Sequence, residues 1–213
     1  MSADDPWAFD EDEVNAFLAG QRKVDAEAAE LLRGACAHTL EAGPPQPALS
    51  AAAGVLREGC DSDDERFSYF THACGLNKRK RISEDDTALW LSAVEATISP
   101  ASDPGSEPEE QAVVAALLHA DWFGMIVGLC RRGVGAKFTA GHALRDIEST
   151  PEIDDDSDDI GDDKMMIQVA AAILAPRWQL LGVHDDEKCL TELGHWGLPT
   201  ALYRVWTGAA APE

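Results

Sequence analysis

Cysteine and histidine are the residues whose spacing could indicate a metal or redox centre, because both ligate metal ions. The chain has five cysteines and six histidines, and its sequence contains no CxxC pair. The closest neighbours are Cys36-Ala-His38 and His72-Ala-Cys74. Residues two apart on a helix point about 200° apart, so neither pair can easily chelate one ion. The cysteines are also odd in number and scattered, so we predict reduced thiols, no metal site and no cofactor.

A catalytic nucleophile with its base and a phosphate-binding loop each have a recognisable spacing in a sequence. The sequence contains no GxSxG elbow, P-loop, GxGxxG or HExxH. His119 and Asp121 lie two residues apart and would face different sides of a helix. We therefore name no catalytic residue and interpret His119 as a histidine of the core or its boundary. An enzyme whose site is assembled from distant residues stays open as a further alternative.

The acidic run 152–163 has the composition of a calcium-binding loop, with eight acids in twelve residues. An EF-hand loop needs acids at positions 1, 3 and 5, glycine at 6 and glutamate at 12. A loop starting at Asp156 places Gly161 at position 6 but Ile160 at 5 and Ile167 at 12. The spacing therefore fails, and we predict a solvated acidic loop.

The overall charge is strongly negative, with 39 acids, 17 bases and a net charge of −22. Such a surface repels phosphates and anionic membranes, so nucleic-acid binding is disfavoured and would need a local basic patch. One basic block follows Gly75, and two further arginines end a long apolar helix. The block could bind an acidic partner, or it could neutralise nearby acids of this chain. The candidate interaction residues are Lys78, Arg79, Lys80, Arg81, Arg131 and Arg132.

Helical periodicity and a proline-rich stretch give the predicted organisation, which is mostly α. Residues 99–108, SPASDPGSEP, predict a linker between an acidic helical module at 1–98 and a second module at 109–208. In the first module we predict helices from Asp10 to about 40, over 48–57, around Phe67 to Cys74, and from a Ser83 cap to Ile98.

The second module is predicted to combine helices with one small β-hairpin. The elements are helices over 109–132, after Thr139 and over 164–181, a hairpin near 183–192, and a last helix to Trp206. The inner face predicted for the helix at 164–181 carries Met166, Val169, Ala170, Ile173 and Leu174. The apolar stretch 112–130 predicts a core helix and no membrane span, because it contains His119 and Asp121. We expect the N-terminal helices to supply most of its cover, with a homodimer as the alternative. The N-terminus resembles no signal peptide, which predicts a cytoplasmic protein.

The stretch LLGVHDDEKCLTELGHWGL resembles the end of many bacterial winged-helix domains, where LT-x-x-G follows the wing. The chain also resembles uncharacterised actinobacterial proteins that end in LT-x-LG-x-W-x-L and have no assigned activity. This resemblance implies a winged-helix-like arrangement for about 109–206. A DNA-binding winged helix contacts phosphates with basic residues, but the wing tip here is Asp185-Asp186-Glu187.

These observations favour a non-enzymatic interaction or regulatory protein that acts through protein–protein contacts, with a protein partner or with itself. The alternative is a DNA-binding transcription regulator of winged-helix type that uses the Lys78–Arg81 block for phosphate contacts. We expect no membrane partner.

Overall fold

A computed structural model describes residues 11–62, 64–71, 83–99, 113–150 and 160–208. The predicted mostly α class is confirmed. The helices are α1 (Glu11–Glu41), α2 (Gln46–Asp61), α3 (Ser68–Thr71) after a 3-10 turn at Glu65–Phe67, α4 (Asp86–Ile98), α5 (His119–Arg132), α6 (Ala140–Glu148), α7 (Ile160–Leu180) and α8 (Glu192–Thr207).

Side-chain caps fix where several of these helices begin. The predicted Thr139 cap is present, since its hydroxyl accepts the His142 N–H at 3.3 Å. The predicted Ser83 cap of α4 is wrong by two residues. Asp85 caps this helix, because its carboxylate accepts the N–H groups of Thr87 and Ala88 at 2.8 and 3.1 Å.

No β-strand forms in the described part of the chain, so the predicted hairpin at 183–192 and the winged-helix arrangement are not confirmed. Two isolated antiparallel bridges are present, between His184 and Leu190 and between Lys137 and Cys189. The Asp185 carboxylate accepts the N–H groups of Glu187 and Cys189 at 2.9 and 2.8 Å. Backbone hydrogen bonds also join the two arms, from the Asp185 N–H to the Cys189 carbonyl at 2.9 Å and from the Thr191 N–H to the Val183 carbonyl at 3.0 Å. The Cys189 N–H is taken by the Asp185 carboxylate, so the pairing of the arms does not extend beyond one bridge.

Three tryptophans hydrogen-bond the helices before residue 99 to those after residue 113. The bonds join Trp90 Nε1 to Leu181 O at 2.8 Å, Trp178 Nε1 to Thr97 Oγ1 at 3.0 Å, and Trp196 Nε1 to Ala42 O at 3.0 Å. The buried apolar side chains of both parts form one continuous core. Helices from the two predicted modules thus share one core. Residues 100–108 of the predicted linker lie outside the described residues.

The apolar helix α5 is buried by helices from both parts of the chain. Among the described helices its cover is divided between α1, α6 and α8, with the largest share from α6. The expectation that the N-terminal helices supply most of the cover is therefore wrong for this part of the chain. Gly124 and Gly128 allow α6 to approach closely, as a Cβ at Gly124 would lie 2.6 Å from the Ile147 Cα. The prediction of a core helix is confirmed for His119–Arg132. The predicted start of a helix over 109–132 is wrong, because residues 117–118 are not helical and Leu118 is the N-cap of α5. None of the helices in the described residues has the length and apolar character needed to cross a membrane.

Candidate functional site

The predicted interaction residues lie in two places. The Lys78–Arg81 block falls outside the described residues. Arg131 and Arg132 end α5, where the Arg132 guanidinium donates to the Asp146 carboxylate and, at 3.3 Å, to the Lys137 carbonyl. Arg132 therefore joins α5 to α6 and to the segment that follows α5.

The most exposed apolar side chain among the described large hydrophobic residues lies on α7. Met165 is 68% exposed and Val169 is 42% exposed. Ala172 and Pro176 are also exposed and continue the same line along the helix. These four residues follow a 4-3-4 spacing, which keeps side chains on one face of a helix. We call them the α7 face.

The predicted inner face of α7 is partly wrong. Ala170 and Leu174 are buried as expected, but Val169 is exposed, while Ile167 and Trp178 are buried instead. Residues 165–176 contain no charged side chain, so the helix is apolar all round. Hydrophobic periodicity cannot select the buried side of such a helix.

A groove of about 540 Å³ overlaps the α7 face, with which it shares Val169, Ala172 and Pro176. Its lining residues are Gln168, Val169, Ala172, Ile173, Pro176 and Arg177. The small side chain of Ala172 and the ring of Pro176 make its floor accessible to an apolar side chain from outside. The α7 face therefore presents a protruding Met165 and a neighbouring depression within about three helical turns.

A second groove of about 390 Å³ runs along the other side of α7, between Ala172, Pro176 and Phe138. Behind it, His184 is buried and stacks on Phe138 with ring centroids 6.3 Å apart. Burial lowers the pKa of His184 despite hydrogen bonds that favour its charged form. Phe138, which lines this groove, is therefore backed by an imidazole that is uncharged at neutral pH.

The basic residues of α7 are already engaged within the chain. Lys164 Nζ lies 3.8 Å from a carboxylate oxygen of Glu148. The Arg177 guanidinium lies over the Tyr69 ring, 3.9 Å from its centroid, which is a cation–π contact. The α7 face is therefore bordered by bases that have intramolecular partners, and it offers apolar contact more than charge.

A polar cluster elsewhere in the fold, formed by Asp25 and His119, joins α1 to α5. His119 Nε2 lies 2.7 Å from Asp25 Oδ1, and its ring stacks on Trp206 with centroids 5.2 Å apart. Asp121 instead accepts the Leu118 N–H at 2.9 Å, as a cap of its own helix. The prediction that His119 and Asp121 act separately agrees with this geometry, but the partner Asp25 was missed. No local pattern could show it, because 94 residues separate Asp25 from His119.

The Asp25–His119 pair borders a pocket of about 370 Å³ that also contains Gln21 and Ser99. A carboxylate that orients an imidazole is one half of a catalytic triad, and the other half is a nucleophile bonded to the ring. Among the described residues no hydroxyl or thiol hydrogen-bonds His119. The pair therefore ties α1 to α5 and supplies no activated nucleophile in this part of the chain.

Within the residues that the structure describes, no three metal-ligating side chains come together. No family of proteins matches the chain, and no curated protein or solved structure shows significant similarity to it. The α7 face and its two grooves are the candidate contact surface.

Proposed function

We propose that this chain is a non-enzymatic interaction protein, that its contact surface is the α7 face, and that the occupant is a second copy of the chain. The supporting observation is Met165, 68% exposed beside an apolar groove on a helix face without charge. Contiguous exposed apolar surface of this kind marks interaction sites in soluble proteins.

Self-complementarity is the reason for choosing a second copy. A two-fold interface requires one surface that contains both a projection and the depression that receives it. When two α7 helices pack antiparallel, Met165 of each copy lies opposite the groove around Ala172 and Pro176 of the other. Val169 then lies close to the two-fold axis. The 4-3-4 spacing is the pattern by which helix seams pack.

The expected association is weak. Complete burial of a methionine or valine side chain contributes about 1.5–3 kcal/mol. Only the exposed fractions, 68% for Met165 and 42% for Val169, remain to be buried. Two copies of each then give roughly 3–7 kcal/mol before the unfavourable entropy of association. We therefore expect a reversible dimer that is populated at high protein concentration.

The winged-helix-like interpretation of 109–208 remains part of this proposal, and it is supported by the order of α6, α7 and the turn at 183–190 along the chain. In a DNA-binding winged helix, α7 would enter the major groove. Its exposed face is apolar, and Lys164 and Arg177 have intramolecular contacts. These features support a protein contact over DNA binding. The Lys78–Arg81 block remains the candidate phosphate contact for the DNA-binding alternative, and the cytoplasm remains the proposed location.

Light scattering on the full chain, with one variant on the α7 face and a matched variant elsewhere, tests the proposal. Val169→Glu places a charge at the centre of the proposed contact. Val55→Glu is the control, because Val55 on α2 is 47% exposed and distant in sequence. We expect the mean mass of the wild type to rise above 22.9 kDa with concentration, and Val55→Glu to follow it.

Val169→Glu should remain at the monomer mass, with a far-ultraviolet spectrum equal to that of the wild type. A wild type that stays monomeric at all concentrations would overturn the proposal. If the two variants associated equally, the contact would lie outside the α7 face, and the proposal would be wrong.

A further inference from the structure

Four helices from distant parts of the chain meet around the pocket of about 370 Å³ that the Asp25–His119 pair borders. α1 and α4 belong to the first predicted module, whereas α5 and α8 belong to the second. The lining includes Gln21 and Asp25 of α1, Ile98 of α4, His119 of α5 and Trp206 of α8. Small-molecule sites commonly have volumes of about 300–1,000 Å³ and lie between structural units. The pocket therefore has the size and the place of a ligand site.

The buried part of the lining is apolar. It consists of Ile98, Val114, Leu117, Trp122 and Trp206. Indole rings and branched aliphatic side chains provide contact surface for a hydrocarbon ring or chain. This part of the pocket is therefore suited to a compact hydrophobic group of a ligand.

The more exposed part of the lining is polar and contains one carboxylate. Asp25 Oδ1 lies 2.7 Å from His119 Nε2, whereas Asp25 Oδ2 has no hydrogen bond in the described part of the chain. The Asp25 side chain is 32% exposed, so a ligand can reach it. None of the described residues that line the pocket is lysine or arginine. The site therefore presents a carboxylate, with further acceptor oxygens on Gln21 and Ser99.

We propose that this pocket binds a small organic cation, in which a primary ammonium group is attached to a compact hydrophobic body. The ammonium group donates hydrogen bonds to the Asp25 carboxylate, and the hydrophobic body packs against Trp122 and Trp206. The net charge of −22 attracts such cations to the protein surface. The site is distinct from the α7 face, so the proposal is independent of the proposed dimer.

The charge of the ligand is the property that decides between this proposal and its alternatives. An anion of the same shape would lie against the Asp25 carboxylate and would be repelled by it. A neutral ligand would fill the apolar part of the pocket but would lack the charge-assisted hydrogen bond. A series of three ligands with one shape and different charge therefore tests the recognition directly.

Isothermal titration calorimetry of the full chain with phenethylamine is the first experiment. This amine is protonated at neutral pH, as the lysine side chain is. We expect a Kd of about 0.1–10 mM, which is typical of a ligand with about nine non-hydrogen atoms. The neutral 2-phenylethanol and the anionic phenylacetate should bind at least about ten-fold more weakly. At about ten times its Kd, phenethylamine should raise Tm by roughly 3–6 °C.

Two variants of α1 locate the site. Asp25→Asn removes the charge and keeps an acceptor for His119, and it should raise the Kd for phenethylamine about ten-fold. Glu27→Gln is the matched control, because it removes one charge from the same helix outside the pocket lining, where Glu27 pairs with Lys23. Its Kd should stay within about two-fold of the wild-type value. Circular dichroism establishes that both variants are folded.

The absence of binding and of a Tm shift at concentrations well above the expected Kd would overturn the proposal. Equal affinity for phenethylamine and 2-phenylethanol would also overturn it, because the pocket would then be an apolar crevice without selection for charge. An Asp25→Asn variant that binds like the wild type, or a Glu27→Gln variant that loses as much affinity as Asp25→Asn, would show that the Asp25 carboxylate is not the recognising group.

Discussion

The hydrogen bond between Trp178 and Thr97 gives a quantitative test of how the two parts of the chain are held together. Both side chains are fully buried, and Trp178 Nε1 donates to Thr97 Oγ1 at 3.0 Å. Thr97→Val preserves the side-chain shape but removes the only side-chain oxygen at that position. The indole N–H is then buried without this acceptor, which is costly inside a protein.

The expected magnitude follows from two opposing contributions. An unsatisfied buried donor costs about 1–3 kcal/mol. Replacing a buried hydroxyl by a methyl group recovers part of this, about 0.8 kcal/mol. The net loss should be roughly 0.2–2 kcal/mol and about 1 kcal/mol at mid-range, which for a chain of this length lowers Tm by about 2–4 °C.

Thermal unfolding followed by circular dichroism measures this loss, and Thr207→Val provides the matched control. Thr207 is exposed near the end of α8, and its hydroxyl donates to the Tyr203 carbonyl at 2.7 Å. The control should change stability by less than about 0.5 kcal/mol. If Thr97→Val were as stable as Thr207→Val, the bond between Trp178 and Thr97 would not contribute as the structure indicates.

Two further predictions concern packing and pH. Gly194→Ala should destabilise the protein by about 3 kcal/mol, because its Cβ would lie 2.0 Å from the Val183 carbonyl oxygen. Gly54→Ala, where a Cβ meets nothing within 4 Å, should instead stabilise the protein by about 0.5–1 kcal/mol. Urea unfolding measures both changes. Burial lowers the pKa of His184 in the folded protein. As the pH decreases, the imidazole is therefore protonated in the unfolded chain before it is protonated in the folded one, and the free energy of unfolding should fall below about pH 6.5. His184→Gln should lose less stability than the wild type between about pH 7.5 and pH 5.5, and equal losses would contradict the assignment.

Local signals made most helices predictable from the sequence. Thr139 and the apolar spacing after it identified α6, because a cap and a hydrophobic stripe are encoded within a few residues. The same reasoning failed by two positions at α4, where Ser83 and Asp85 are both good caps and only the fold selects Asp85. The hairpin at 183–192 is predicted from the resemblance of this stretch to the wing of a winged-helix domain. The structure shows a single bridge there, since the Asp185 carboxylate takes the Cys189 N–H that a longer ladder would need.

The candidate sites were much harder to predict. The exposure of Val169 could not be read from the sequence, because a helix that is apolar all round has no periodic signal for its buried side. The contact of Asp25 with His119 joins residues 94 positions apart. Such a pair depends on how α1 lies against α5, and single-sequence patterns contain no information on that packing.

Sedimentation equilibrium of the full chain at several salt concentrations tests the central claim most directly. Each copy has a net charge of −22, so two copies repel at low salt, and the α7 face offers no charge to offset the repulsion. Raising ionic strength from about 0.01 to 1 M shortens the screening length from about 30 to 3 Å. We predict a monomer–dimer equilibrium that shifts toward dimer as salt increases. A monomer under every condition would contradict self-association through the α7 face. A dimer that dissociates as salt increases would also contradict it, because that is the behaviour expected of a charged contact through Lys78–Arg81.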